Sequence, residues 1–210
     1  MPGNAPPPRR RLVVPSADLP TVGHAVAASP DGAIIDVLPG HYERLNTMVL
    51  DQPFVIEGPA DRSATLVAEH GIVCAARADA RGTLILRNMT LRSTLEPVLT
   101  ITRPCSVEFC DISGSCVGVQ VMVGARGEAP YFVQNAIHDC ADGLCFVGGL
   151  HCELDRNRVE GNGRGVVVVG LELPEGPSEG LAALDQTHFA KNSVADLQLV
   201  ALMVRDSAGA

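Results

Sequence analysis

Apolar positions recur in a fixed phase along the middle of the chain. Leu91, Ile112, Ile137, Val159 and Phe189 stand at intervals of 21, 25, 22 and 30 residues. Five residues before each stand Leu86, Val107, Phe132, Leu154 and Leu184, and seven before stand Leu84, Cys105, Pro130, Cys152 and Ala182. A spacing of two puts such side chains on one face of a strand. Two residues before each anchor come Met89, Cys110, Asn135, Asn157 and Thr187; three after come Thr94, Ser115, Cys140, Asn162 and Asn192. Small hydrogen-bonding side chains at fixed turn positions predict ladders from one repeat to the next, with Asn135, Asn157, Asn162 and Asn192 as rungs.

A third apolar run follows each polar turn: Ile72-Val73-Cys74-Ala75, Val98-Leu99-Thr100-Ile101, Val117 to Val121, Leu144-Cys145-Phe146-Val147, Val166 to Val169 and Leu197 to Val204. No segment between anchors carries helical periodicity, which disfavours a leucine-rich repeat. Three short strands per 20–30 residues, none able to bury its face alone, predict a solenoid. The expected fold is all-β: a single-stranded right-handed parallel β-helix of about seven three-strand coils. Ahead of it, Asp18 as N-cap, Pro20, and Val22, Ala25 and Val26 on one face predict a short capping helix over 19–29. The expected organisation is a disordered arm over 1–18, one β-helix domain over 19–206 and a tail over 207–210. Apolar Leu197 to Val204 runs nearly to the last residue, which predicts an uncapped end open to a partner or a second copy.

The run Ile35-Asp36-Val37-Leu38-Pro39-Gly40-His41-Tyr42-Glu43-Arg44, followed by Phe54-Val55-Ile56-Glu57-Gly58, resembles the opening coil of pectin-lyase-like right-handed parallel β-helix proteins. The specific part is the Pro-Gly-x-Tyr-x turn before an apolar strand ending in Gly. The flavour is closest to the β-helix repeat regions of intracellular proteins of the F-box only protein 11 and Shc SH2-binding type. That resemblance implies a protein-interaction scaffold. The wider family implies a carbohydrate-binding or polysaccharide-processing alternative, of lyase or hydrolase type.

Composition narrows the choice. The chain is 46% hydrophobic but 3% aromatic, without Trp, so its core must be built from small branched side chains. A net charge of −8 argues against a general nucleic-acid binder. No run approaches the length of a membrane span. Met1 to Arg11 lacks the apolar stretch of a signal peptide, and the expected location is the cytoplasm, with the nucleus as the alternative suggested by Arg9-Arg10-Arg11. Seven cysteines without a CxxC pair read as buried hydrophobes in a reducing compartment, with zinc as the rival reading. No metal or cofactor is expected.

Candidate chemistry is sparse. The polygalacturonase motifs (Asn-x-Asp, Asp-Asp, Gly-His-Gly) are absent, and the third-strand sheet offers no pair of acids for glycoside hydrolysis. No catalytic residue is assigned, and the balance is against an enzyme. The densest reactive cluster is His138-Asp139 and Asp142 near Cys140 and Cys145. The outward positions four before each anchor, Arg87, Glu108, Val133, Asp155 and Asp185, make with Glu153 a mixed, mostly acidic stripe that reads as a solvated face. The preferred reading is a non-enzymatic scaffold that binds another protein through an apolar outward sheet, with Val119, Gln120, Phe146 and Val167 as candidates. Two protruding loops, Met122 to Pro130 and Gly170 to Gly180, add Arg126, Glu128, Glu172 and Glu175. Both alternating sets of the third strand are apolar, so the sequence leaves open which set faces outward.

Overall fold

The computed structural model describes residues 9–30, 32–45, 47–75, 82–122, 129–148, 152–169, 187–192 and 195–200. It is all-β with one short helix, and its parallel sheets form a β-solenoid. The chain opens with β1 (Arg11–Val14) and α1 (Val22–Ala28). Coil 1 consists of β2 (Ile34–Val37), β3 (Gly40–Leu45) and β4 (Met48–Leu50), and coil 2 of β5 (Val55–Glu57), β6 (Ala64–Ala68) and β7 (Ile72–Cys74). Coil 3 is β8 (Leu84–Arg87), β9 (Thr90–Ser93) and β10 (Leu99–Ile101); coil 4 is β11 (Cys105–Glu108), β12 (Asp111–Ser113) and β13 (Val117–Val121). Coil 5 is β14 (Tyr131–Val133), β15 (Ala136–His138) and β16 (Asp142–Val147); coil 6 is β17 (Glu153–Asp155), β18 (Arg158–Glu160) and β19 (Arg164–Val169). Strands β20 (His188–Ala190) and β21 (Ala195–Val200) follow.

Sheet A runs β1-β2-β5-β8-β11-β14-β17, sheet B β3-β6-β9-β12-β15-β18-β20 and sheet C β4-β7-β10-β13-β16-β19-β21. The described residues thus make about six turns rather than seven. The first strand of a further coil would fall around Leu184, outside the described residues.

The anchors are in register. Leu91, Ile112, Ile137, Val159 and Phe189 pair in sequence along sheet B, and Leu86, Val107, Phe132 and Leu154 do so along sheet A. All except half-buried Phe189 lie within one apolar core with Leu99, Leu144 and Val166 from sheet C. Burial of these branched side chains, at roughly 25 cal/mol per Å² of apolar surface, drives the stack together.

Three local expectations are corrected. Arg11–Val14, placed by sequence in a disordered arm, is β1 and pairs with β2; Leu12 and Val14 are buried, so this segment has a core face of its own. Arg11 is also tied to Asp36, Nε to Oδ2 at 2.8 Å, which leaves Arg9-Arg10-Arg11 short of one free charge as an import patch. The helix starts later than expected, at Val22, because Thr21 rather than Asp18 is the N-cap: its Oγ1 accepts from the His24 N–H at 3.2 Å. Its buried Val22 and Ala25 pack on β1 and β2. Finally, the segment after Pro39 is strand β3, not merely a turn. Tyr42 packs on the core, its hydroxyl donating to the Leu38 carbonyl at 2.8 Å.

Glycine at one row is a packing requirement. Gly118, Gly143 and Gly165 stack where the strands of sheet C pass over the anchors of sheet B. A Cβ on Gly143 would stand 2.6 Å from Val159 Cγ1 and 2.7 Å from the Gly165 carbonyl.

Candidate functional site

Two ladders of asparagine hold the corners. At the corner from sheet A to sheet B, Asn135 Oδ1 accepts from the Cys110 N–H at 2.9 Å, and Asn157 Oδ1 accepts from the Asn135 N–H at 3.0 Å and from Asn135 Nδ2 at 2.9 Å. The amide nitrogens donate to the Val107 and Phe132 carbonyls, at 2.8 and 2.9 Å. At the corner from sheet B to sheet C, Asn162 Oδ1 accepts from the Cys140 N–H and Asn192 Oδ1 from the Asn162 N–H, each at 3.1 Å. The residue before each rung is left-handed: Phe109, Gln134, Arg156, Asp139, Gly161 and Lys191 all have φ between 52° and 70°. That turn aims the following side chain inward, where water cannot replace it. Each of these four asparagines thus bonds to backbone groups of a neighbouring coil.

The first ladder stops one rung early. Thr187 occupies the next position, buried, and its Oγ1 has no partner among the described residues. Asparagine there would set Oδ1 over the Asn157 N–H and Nδ2 toward the Leu154 carbonyl. Thr187→Asn should therefore stabilise the fold by about 1 kcal/mol, read as a Tm rise of about 2–4 °C in thermal denaturation.

Register decides which side of sheet C is outward. Leu99, Val119, Leu144 and Val166 form one inner row, and Ile101, Val121, Phe146 and Val168 the other. Val119 and Phe146 are fully buried, so neither belongs to an outward surface; both face the core because each sits two residues from another inward apolar position. The outward row is Val49, Val73, Thr100, Gln120, Cys145 and Val167. Val49 is 50% exposed, Val73, Thr100 and Gln120 are half-buried, and Cys145 and Val167 are covered, at 8% and 2%. The neighbouring outward row holds Ala75, Thr102, Met122, Val147 and Val169. From Val73 to Val169 the two rows carry no charge. Arg126, Glu128, Glu172 and Glu175 lie outside the described residues.

The other two outward faces carry charge, although on sheet A one outward row, Ile34, Val55, Ile85, Ser106 and Tyr131, is uncharged and runs beside the charged one. On sheet A, Glu57 accepts from Arg87 at 2.9 Å and lies 3.8 Å from Arg11, and Asp155 pairs with Arg156 at 2.8 Å. On sheet B a depression of about 400 Å³ is lined by Asp111, Ala136, His138, Asp139, Arg158, Glu160, Gly161 and Lys191. His138 Nδ1 lies 2.8 Å from Asp139 Oδ2, and its Nε2 lies 3.1 Å from Asp111 Oδ1 on the previous coil. Partial burial disfavours its charged form, but the two carboxylates outweigh that and raise its pKa above the ordinary histidine value. With both ring nitrogens committed, the imidazole offers no free base to a substrate. Arg158 is paired with Glu160. Asp142, grouped with His138 by sequence, belongs instead to sheet C, where Arg164 Nη2 donates to it at 2.6 Å.

Sequence reading missed Asp111 as the partner of His138, although the register contained it. Relative to the anchors Ile112 and Ile137, the two residues occupy the flanking outward positions. Six of the seven cysteines are buried and all are free thiols. Burial pushes Cys110 and Cys152 up to about 12, so neither is a ready nucleophile. Among the described residues no cluster of three His, Cys, Asp or Glu side chains is arranged to hold a metal ion, and no helix is long and apolar enough to cross a membrane.

The fold and its surfaces define the chain as a three-sheet parallel β-solenoid. Comparison with protein-family models, with curated proteins and with solved structures found no match in any of the three.

Proposed function

We propose that this β-solenoid is a non-enzymatic scaffold that docks another protein through the outward face of sheet C, in the manner of the intracellular pectin-lyase-like repeat regions it resembles. One observation carries the reading. In a chain of net charge −8, the two outward rows of sheet C are uncharged from Val73 to Val169; of their residues Val49 and Met122 are 50% and 47% exposed, while Cys145 and Val167 are covered. An apolar segment of a partner chain is the occupant that such a strip fits. The committed imidazole of His138 and the pairing of Asp142 with Arg164 add to the case against catalysis.

Val73→Glu and Met122→Glu should each abolish capture of a cross-linked partner while leaving the circular dichroism spectrum unchanged. Glu153→Lys, on sheet A, should keep the same partner. Equal capture by all four proteins would sink the proposal. The polar depression on sheet B favours a second reading, recognition of a carbohydrate. A glycan array separates the two: reproducible binding that is lost in Arg158→Ala and kept in Val73→Glu favours the sugar. The edge strand β21 is where self-association through the C-terminal end is expected, and light scattering against concentration tests it.

A further inference from the structure

We propose that His138 is a proton-operated latch between coils 4 and 5, closed while its imidazolium donates to Asp111 and Asp139 together and released once the ring keeps a single N–H. The geometry points to this directly. Both ring nitrogens stand at hydrogen-bond distance from carboxylate oxygens, at 2.8 and 3.1 Å, and a carboxylate accepts but does not donate. Only the charged ring satisfies both contacts; the neutral ring must turn one nitrogen lone pair toward a carboxylate oxygen. Asp111 belongs to β12 and His138 to β15, so one of the two bonds crosses between coils. It sits beside the corner where the Ala141 N–H reaches the Ser115 carbonyl at 3.2 Å and the Asp142 N–H reaches the Cys116 carbonyl at 2.9 Å.

The groups around His138 set the sign. Asp111 from β12 and Asp139 from its own corner touch it, and Arg158 and Glu160 from β18 and Lys191 after β20 line the same depression. With the ring charged, three acids meet three bases. With the ring neutral, the depression becomes one unit more negative and one carboxylate loses its donor. The folded-state pKa of His138 lies above its unfolded value. Its stabilisation is therefore complete below the unfolded value and is lost as pH rises through the folded one. Proton loss thus both loosens the junction between coils 4 and 5 and changes the charge of the depression on sheet B.

The test uses the full chain. NMR titration of the histidine ring signals should give His138 a midpoint above the ordinary value, and Asp111→Asn or Asp139→Asn should each lower it. Amide hydrogen exchange at Ala141 and Asp142, corrected for intrinsic rates, should lose about tenfold protection between about pH 5 and about pH 8. His138→Gln, which carries a neutral amide, should fold and show the same low protection at both pH values. A midpoint at or below the ordinary histidine value would overturn the latch, as would an unchanged pH response in His138→Gln.

Discussion

Asn157→Ala should cost about 3 kcal/mol or more, because it strands three buried groups at once and each is worth roughly 1–3 kcal/mol. The Asn135 N–H and one Asn135 Nδ2 hydrogen lose their shared acceptor, and the Phe132 carbonyl loses its donor. Asn157 is 1% exposed, so water does not reach these groups unless the corner opens. In a chain of this length the Tm should fall by about 6–12 °C. Nearest-neighbour coupling in a solenoid confines the damage at first: amide exchange should rise in coils 4 to 6 before it rises in coils 1 and 2. Asn157→Asp separates acceptor from donor. It keeps an oxygen for Asn135 but sets a second one against the Phe132 carbonyl, so it should remain destabilised by a similar amount near neutral pH. Glu153→Ala, exposed on the same coil, should stay within about 0.5 kcal/mol of the native chain. A Tm for Asn157→Ala within 2 °C of native, on the order of a surface substitution, would show that the ladder is decorative.

The ladder was legible because its rungs keep constant phase with the anchors, and that phase follows from the strand geometry. One extra residue anywhere between rung and anchor would turn the side chain to the wrong face, so Asn135 and Asn157 stand two before Ile137 and Val159. The side of sheet C that faces water was not legible for the opposite reason. Val166-Val167-Val168-Val169 offers no polar residue in either alternating set, and only the register through Leu99, Val119 and Leu144 distinguishes them. β1 escaped notice because Arg11-Leu12-Val13-Val14 precedes the helix and has one neighbouring strand instead of two. The partnership of His138 with Asp111 lay in the pattern but crosses coils diagonally, where a reading along the chain groups His138 with Asp142 instead. The segments that carry Arg126, Glu128, Glu172 and Glu175 have no repeat phase at all, so nothing in the sequence aims their side chains.

Arg103 lies outside every repeat row, and it should prove the most sensitive charged residue in the protein. Its side chain is buried, with 6% exposed, and it stitches three stacked corners between sheets C and A. Nη1 donates to the Asp51 carbonyl at 3.2 Å, Nη2 to Gly82 at 3.1 Å and Nε to Pro104 at 3.4 Å. No carboxylate lies within ion-pair reach among the described residues; the adjacent ionisable group is the Cys74 thiol, which the Cys105 thiol and burial hold protonated well above its ordinary range. Two effects compete in Arg103→Met. Removing the guanidinium relieves the desolvation of a buried charge, worth several kcal/mol. It also removes three hydrogen bonds from a charged donor, at roughly 1.5–3 kcal/mol each, and leaves three carbonyls facing an apolar side chain. The bonds outweigh the relief, since the carbonyls sit at corners fixed by the strands on either side and cannot turn to water together. The expected loss is about 2–4 kcal/mol in chemical denaturation. Arg103→Lys should fall between the two, because a compact ammonium on a shorter reach cannot span three carbonyls as a planar fork does. Equal or greater stability in Arg103→Met would mean that the buried charge costs more than its three bonds return, and the stitching of these corners would then have to come from the apolar core alone.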